Sequence, residues 1–222
     1  MSNSKERRLE RERKQRRESI IDTAERFFVD QGYEQTMVDK VAIEAGYTKA
    51  TIYNYFESKE DLFVAAAARG FEILFRIMKA HLDRPDVKYE LRSLGDAYLT
   101  FVEKHRGHAG LIDSGQVGVA LARISIKEET REDLSESEAE LRGHQLKIQE
   151  LMTDVIMNTM RESGVEKKVG TFPVIMALSS IGVAIREMVM RVERGTQTER
   201  ETREYLNVLF NIIDNGLKHY SK

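Results

Sequence analysis

Apolar residues recur along this chain at intervals of three and four, the spacing of one helical face. Ile20, Ala24, Phe27, Phe28 and Gln31 predict a helix from Arg17 to Gln31, ended by Gly32. Val38, Val41, Ala42 and Ala45 predict a short second helix, and Ala50, Ile52 and Phe56 a third. Leu62, Phe63, Ala66, Phe71, Leu74, Phe75 and Met78 predict a long fourth, running to about Leu82 before Pro85 stops it. Beyond Pro85 the pattern predicts helices at Val87 to His105, Leu111 to Ile126 (with Gly115 and Gly118 inside it) and Glu140 to Glu162, with a charged loop or frayed helix from Lys127 to Glu138. Pro173 opens another to about Arg194, and Tyr205, Leu206, Leu209, Phe210, Ile212, Ile213, Leu217 and Tyr220 line the last. With only two prolines in 222 residues, the expected fold class is all-α.

Punctuation is densest between Thr36 and Leu62. Thr36 stands where an N-cap hydroxyl would start the second helix. Gly46 follows Ala45 where positive φ is wanted, Thr48 offers the next cap, and Ser58 caps a helix carrying Glu60 and Asp61 in its first turn. Two short helices joined by a glycine turn make a helix-turn-helix. Lys49, Thr51, Tyr53, Asn54 and Tyr55 point away from Ile52 and Phe56, and mix a cation, hydroxyls and an amide on a helix of major-groove size. Such a face can read DNA, or it can be a solvated polar face.

Gly32-Tyr33, Thr36, Val41-Ala42, Ala45-Gly46, Thr48-Lys49, Ile52-Tyr53, Tyr55-Phe56, Ser58-Lys59 and Leu62 closely resemble, in order and spacing, the DNA-binding domain of the TetR family of bacterial transcriptional regulators. The resemblance covers roughly residues 18 to 65. It implies phosphate contacts from Thr36, Thr48, Tyr53, Tyr55 and Lys59, and base-edge reading from Lys49, Ala50, Thr51 and Asn54. Ala50 stands where many members carry glycine, and Met37 where Thr or Ser is frequent, which removes a hydroxyl.

Charge changes the picture. The net charge is −2, but residues 5 to 17 hold eight Lys or Arg against three Glu, while residues 18 to 60 hold four basic against nine acidic groups. The basic arm 1–17 is therefore expected to supply much of the attraction to phosphate, through its Arg13, Arg16 and Arg17 end. The rival expectation is a self-paired tail, since Glu10 and Glu12 each have an Arg within helical reach. No cysteine is present, so there is no disulfide framework, zinc finger or thiol nucleophile. The N-terminus lacks a signal-peptide core, and the longest apolar run, Phe172 to Ile185, falls short of the roughly 20 residues of a membrane span. A cytoplasmic, soluble protein without membrane partner is expected.

The expected organisation is an arm (1–17), a three-helix helix-turn-helix domain (18–65), a connecting helix (66–83) and a C-terminal helical bundle for ligand binding and dimerisation (84–222). The last two helices carry apolar residues on more than one face, and with the family resemblance this implies an isologous homodimer contact. Tyr98, Phe101, Met152, Ile156, Phe172 and Met176 are candidates to line an apolar cavity, with Arg123, His144 and Arg186 to orient a polar end. His105 and His108 suggest a metal site only weakly, because Gly107 lies between them and no second ligand cluster exists. No catalytic, metal or nucleotide motif is present, so no cofactor and no enzyme activity are expected. The function expected is a ligand-responsive repressor released from a palindromic operator by a small, largely apolar effector. The alternative is a DNA-bound adaptor whose helical domain binds a nucleoid or division factor.

Overall fold

The computed structural model describes residues 2–88, 90–163, 184–189, 191–192, 195 and 198–220. Among these there are no strands. The helices are α1 (Ser2–Gln35), α2 (Val38–Glu44), α3 (Lys49–Tyr53), α4 (Lys59–Leu82), α5 (Leu91–Lys104), α6 (Arg106–Ile112), α7 (Gly115–Thr130), α8 (Glu136–Ser163) and α9 (Glu199–Tyr220), with residues 184–189 also helical. Phe172, Pro173, Met176, Gly182 and Met190 lie outside the described residues, as do the side chains of Ile213, Leu217 and Tyr220.

Several helix ends differ from the sequence expectation. α1 begins at Ser2, not Arg17, because the arm contains no glycine or proline and its opposite charges pair along the helix, as Arg8 does with Glu12 at 2.8 Å. α5 starts at Leu91 and ends at Lys104, and a further short helix, α6, runs through Gly107, where no helix was expected. Gly115 stands at the first position of α7 and not in its interior. Of the stretch 127–138, expected as loop or frayed helix, the two ends are helical: α7 continues to Thr130 and ends on Arg131 in the left-handed conformation, and α8 begins at Glu136. α8 starts early because Ser135 and Glu138 form a capping box: the Glu138 amide donates to Ser135 Oγ (3.1 Å) and the Ser135 amide to Glu138 Oε2 (3.0 Å).

The chain divides by packing into two compact units. The first holds Met1–Phe71 and Gly110–His144, the second Glu72–Ala109 and Gln145–Lys222. These cuts fall at other places than the boundaries expected from the sequence at 65 and 84, since α7 and the start of α8 pack with the first unit. Its core is built on Ile20, Ile21, Ala24 and Phe28 of α1, Val41 and Ala42 of α2, Ile52 and Phe56, and Leu62, Phe63 and Ala66 of α4. The Phe28 and Phe63 rings meet edge to face at 5.1 Å, and Tyr33 packs against both. In the second unit Leu91, Leu94, Phe101 and Val102 of α5, Val155, Ile156 and Met160 of α8, and Leu206 and Phe210 of α9 are buried. No helix among the described residues is long and apolar enough to cross a membrane.

Candidate nucleic-acid interface

Gly32 and Gly46 set the entry and the turn of the short-helix pair, with φ of 77° and 75°. After Gly46 the chain is fixed by the Tyr47 amide on Ala42 O (2.8 Å), and Thr48 then caps α3 by accepting from the Thr51 amide at 3.1 Å. α3 is five residues long, so this cap satisfies a large share of its open amides. Ile52 and Phe56, each 1% exposed, anchor the helix to the core. Their burial leaves Thr48, Lys49, Ala50, Tyr53 and Asn54 exposed, with Thr51 and Tyr55 half-buried. Thr48 to Asn54 thus present an exposed, largely polar surface, whereas Tyr55, expected to point away from Ile52 and Phe56, packs against the same core as they do.

Two cations among the candidate residues are held in place. Lys59 lies 4.4 Å from the centre of the Tyr33 ring and donates to Glu34 O at 3.3 Å. Tyr33 itself has its phenol pushed above the usual range, first by burial and then by Glu60 and Glu34. Lys49 Nζ pairs with Asp39 Oδ2 of α2 at 3.1 Å. Sequence patterns do not point to Asp39, because ten positions between two separate helices carry no periodic signal.

Three expectations need correction. Thr36 is not a cap: Met37 occupies that position, while the Thr36 hydroxyl donates to Gly32 O (2.8 Å) and Phe27 O (3.1 Å) at the end of α1. At 2% exposure it has no free surface for a phosphate contact. Arg17, in the same way, is 3% exposed, seated on the Phe56 ring and paired with Glu136 and Glu140 of α8. Of the three arginines only Arg13 and Arg16 are exposed, and Arg13 lies 3.9 Å from Glu136. Arg123 does not stand among the apolar candidates: it belongs to the first unit and is held by Glu60 (2.5 Å) and Glu138 (2.8 Å).

The remaining effector candidates are divided between the units. His144 is half-buried at the end of the first, while Tyr98, Phe101, Met152, Ile156 and Arg186 belong to the second. Phe101 and Ile156 are fully buried, and Tyr98, Met152 and Arg186 half-buried. His105 and His108 face each other at 5.9 Å, and among the described residues no group of three or more His, Asp or Glu assembles around a metal position.

Within the first unit, α2 and α3 thus form a helix-turn-helix that presents a short, largely polar helix at the surface. Residues 20–66 match the model of "Bacterial regulatory proteins, tetR family". Over 92 residues the chain is 32% identical to the HTH-type transcriptional activator FasR of Mycolicibacterium smegmatis, a match spanning 41% of this chain and 42% of that protein. The chain also superposes on a bacterial regulatory protein in the tetR family from Rhodococcus RHA1, at 18% identity and TM-score 0.54, covering 87% of this chain and 94% of that one. The transcriptional regulator FadR from Bacillus subtilis in complex with stearoyl-CoA superposes at 19% identity and TM-score 0.51, covering 86% and 96%. These two likenesses establish the fold. Residues 20–66 thus carry the segment that this family model describes, on a chain with the fold of the two structures above.

Proposed function

We propose that the protein is a homodimeric repressor that occupies a palindromic operator and leaves it when a small, largely apolar effector binds the second unit. The observation that carries this reading is the exposed row Thr48, Lys49, Ala50, Tyr53 and Asn54 on a helix whose opposite side is buried. Lys49, Ala50, Thr51 and Asn54 read base edges; Thr48, Tyr53, Tyr55 and Lys59 hold phosphates, joined by Arg13 and Arg16 of α1.

Dimerisation through the last two helices is supported by Tyr205, Val208 and Ile212, exposed at helical spacing along α9. Two recognition helices then enter successive major grooves about 34 to 36 Å apart. The effector site is assigned to Tyr98, Phe101, Met152, Ile156, Phe172, Met176 and Arg186, leaving out Arg123, held by its two glutamates, and His144, which belongs to the first unit. A long acyl chain on a polar carrier is the first effector class to examine, because a structural neighbour holds stearoyl-CoA.

By linkage, such an effector binds the DNA-free form more tightly, and operator DNA weakens effector binding by the same factor. The test is fluorescence anisotropy of a labelled operator fragment selected from the source genome, titrated with stearoyl-CoA, free fatty acids and other apolar ligands. Release by one ligand is expected. Operator affinity indifferent to every ligand the protein binds would contradict the mechanism.

A further inference from the structure

The segment 54–58, which carries the recognition helix into α4, is held by the start of α8. Phe56 has the Arg17 guanidinium over its ring, 5.4 Å from the centre. Arg17 in turn donates from Nη2 to Glu140 Oε2 at 2.8 Å and from Nη1 to Oε1 at 3.2 Å, with Nε 3.6 Å from Glu136. A buried guanidinium without such partners is strongly unfavourable, so Arg17 and the start of α8 are bound to move together.

A second tie lies beside the first. The Glu57 amide donates to Asp61 Oδ2 (3.1 Å), and Asp61 Oδ1 accepts from Ser135 Oγ at 2.6 Å. Ser135 is also the α8 cap, and Ser58 caps α4 by accepting from the Asp61 amide at 3.1 Å. One hydroxyl thus joins the caps of two helices. Arg123 adds a third tie by spanning Glu60 of α4 and Glu138 of α8.

We propose that residues 135–140 are a positioning element for the recognition helix, fixing the height and rotation at which Lys49 to Asn54 are offered to a groove. This rests on the operator-binding reading and deepens it, naming what positions the reading helix within the first unit. α8 continues from this clasp to Ser163 and carries Met152 and Ile156, two of the assigned effector contacts.

The test uses the full-length Glu136→Gln, Glu140→Gln double variant, whose altered carboxylates are both substantially exposed. Removing two negative charges from a DNA-binding unit tightens binding to any DNA if only long-range electrostatics act. The clasp predicts the opposite for the operator: affinity about tenfold weaker, with affinity for random-sequence duplex unchanged or higher and an intact helical circular-dichroism spectrum. Operator binding as tight as or tighter than wild type, or equal losses on both DNAs, would overturn the positioning role alone. A wild-type protein that selects no operator from genomic fragments would overturn the operator-binding reading, and this inference with it.

Discussion

Gly95 of α5 and Phe210 of α9 occupy one space: a Cβ built on Gly95 would overlap the Phe210 ring, which is 2% exposed. The two helices approach this closely only because position 95 has no side chain. One turn earlier Arg92 hydrogen-bonds Asn207, which fixes the same register. Gly95→Ala is expected to destabilise the protein by about 1 to 3 kcal/mol, the range for overpacking a filled core, despite the better helix propensity of alanine. Urea unfolding checks this, and Phe210→Leu should restore much of the stability in the Gly95→Ala background.

The Thr48 cap makes a second prediction. Thr48→Ala removes the acceptor of the Thr51 amide and is expected to cost about 1 kcal/mol, while Thr48→Ser keeps the bond and most of the stability. Unfolding curves of the two variants separate this local effect from any weakening of the hold on phosphate.

The helical arm is testable by salt dependence. Deleting residues 1–14 leaves the buried face that begins at Arg17 and Ile20 in place. The plot of log affinity against log salt is expected to flatten by roughly 0.9 for each phosphate that the shortened protein no longer neutralises. An unchanged slope would assign the arm's charge to its own glutamates, as the Arg8–Glu12 pair already does in part.

A pH prediction follows from His105. Burial, and then the neighbouring charges of His108, Arg76 and Lys104, hold its imidazole below the ordinary value of 6.5. The unfolded chain therefore takes up this proton first as pH falls, and folding stability drops from about pH 6.5 down to the lower folded value, below which the contribution is flat. Urea unfolding at a series of pH values should show a shallower decline for His105→Asn than for wild type.

The helix-turn-helix is legible in the sequence because its signals are local: Gly46, Thr48 and Ser58 act within three or four residues, and each is found in the expected role. Thr36 is ambiguous because two fates of a threonine at a helix junction, capping forward or bonding back to Gly32 and Phe27, leave the same sequence mark. Arg17 stands in a basic run and so resembles a DNA contact; its true partner Glu140 lies 123 positions away, and no pattern in either segment announces the pair. Arg123 repeats the lesson, since its glutamates come from α4 and α8. Local chemistry can be read directly, whereas the ion pairs that seat the domain depend on which helices meet.

Base reading by α3 is the claim on which the rest depends, and one competition experiment probes it. Wild type and Asn54→Ala would be used to select fragments from the source genome, and each protein's affinity measured for both selected sets at one fixed salt concentration. A base-reading helix gives an inverted repeat in the wild-type set and a shift in preference of roughly 1 to 3 kcal/mol in the variant, confined to the base pairs under Asn54. Identical selected sequences, bound by the variant with one uniform drop in affinity, would show that this helix does not read bases.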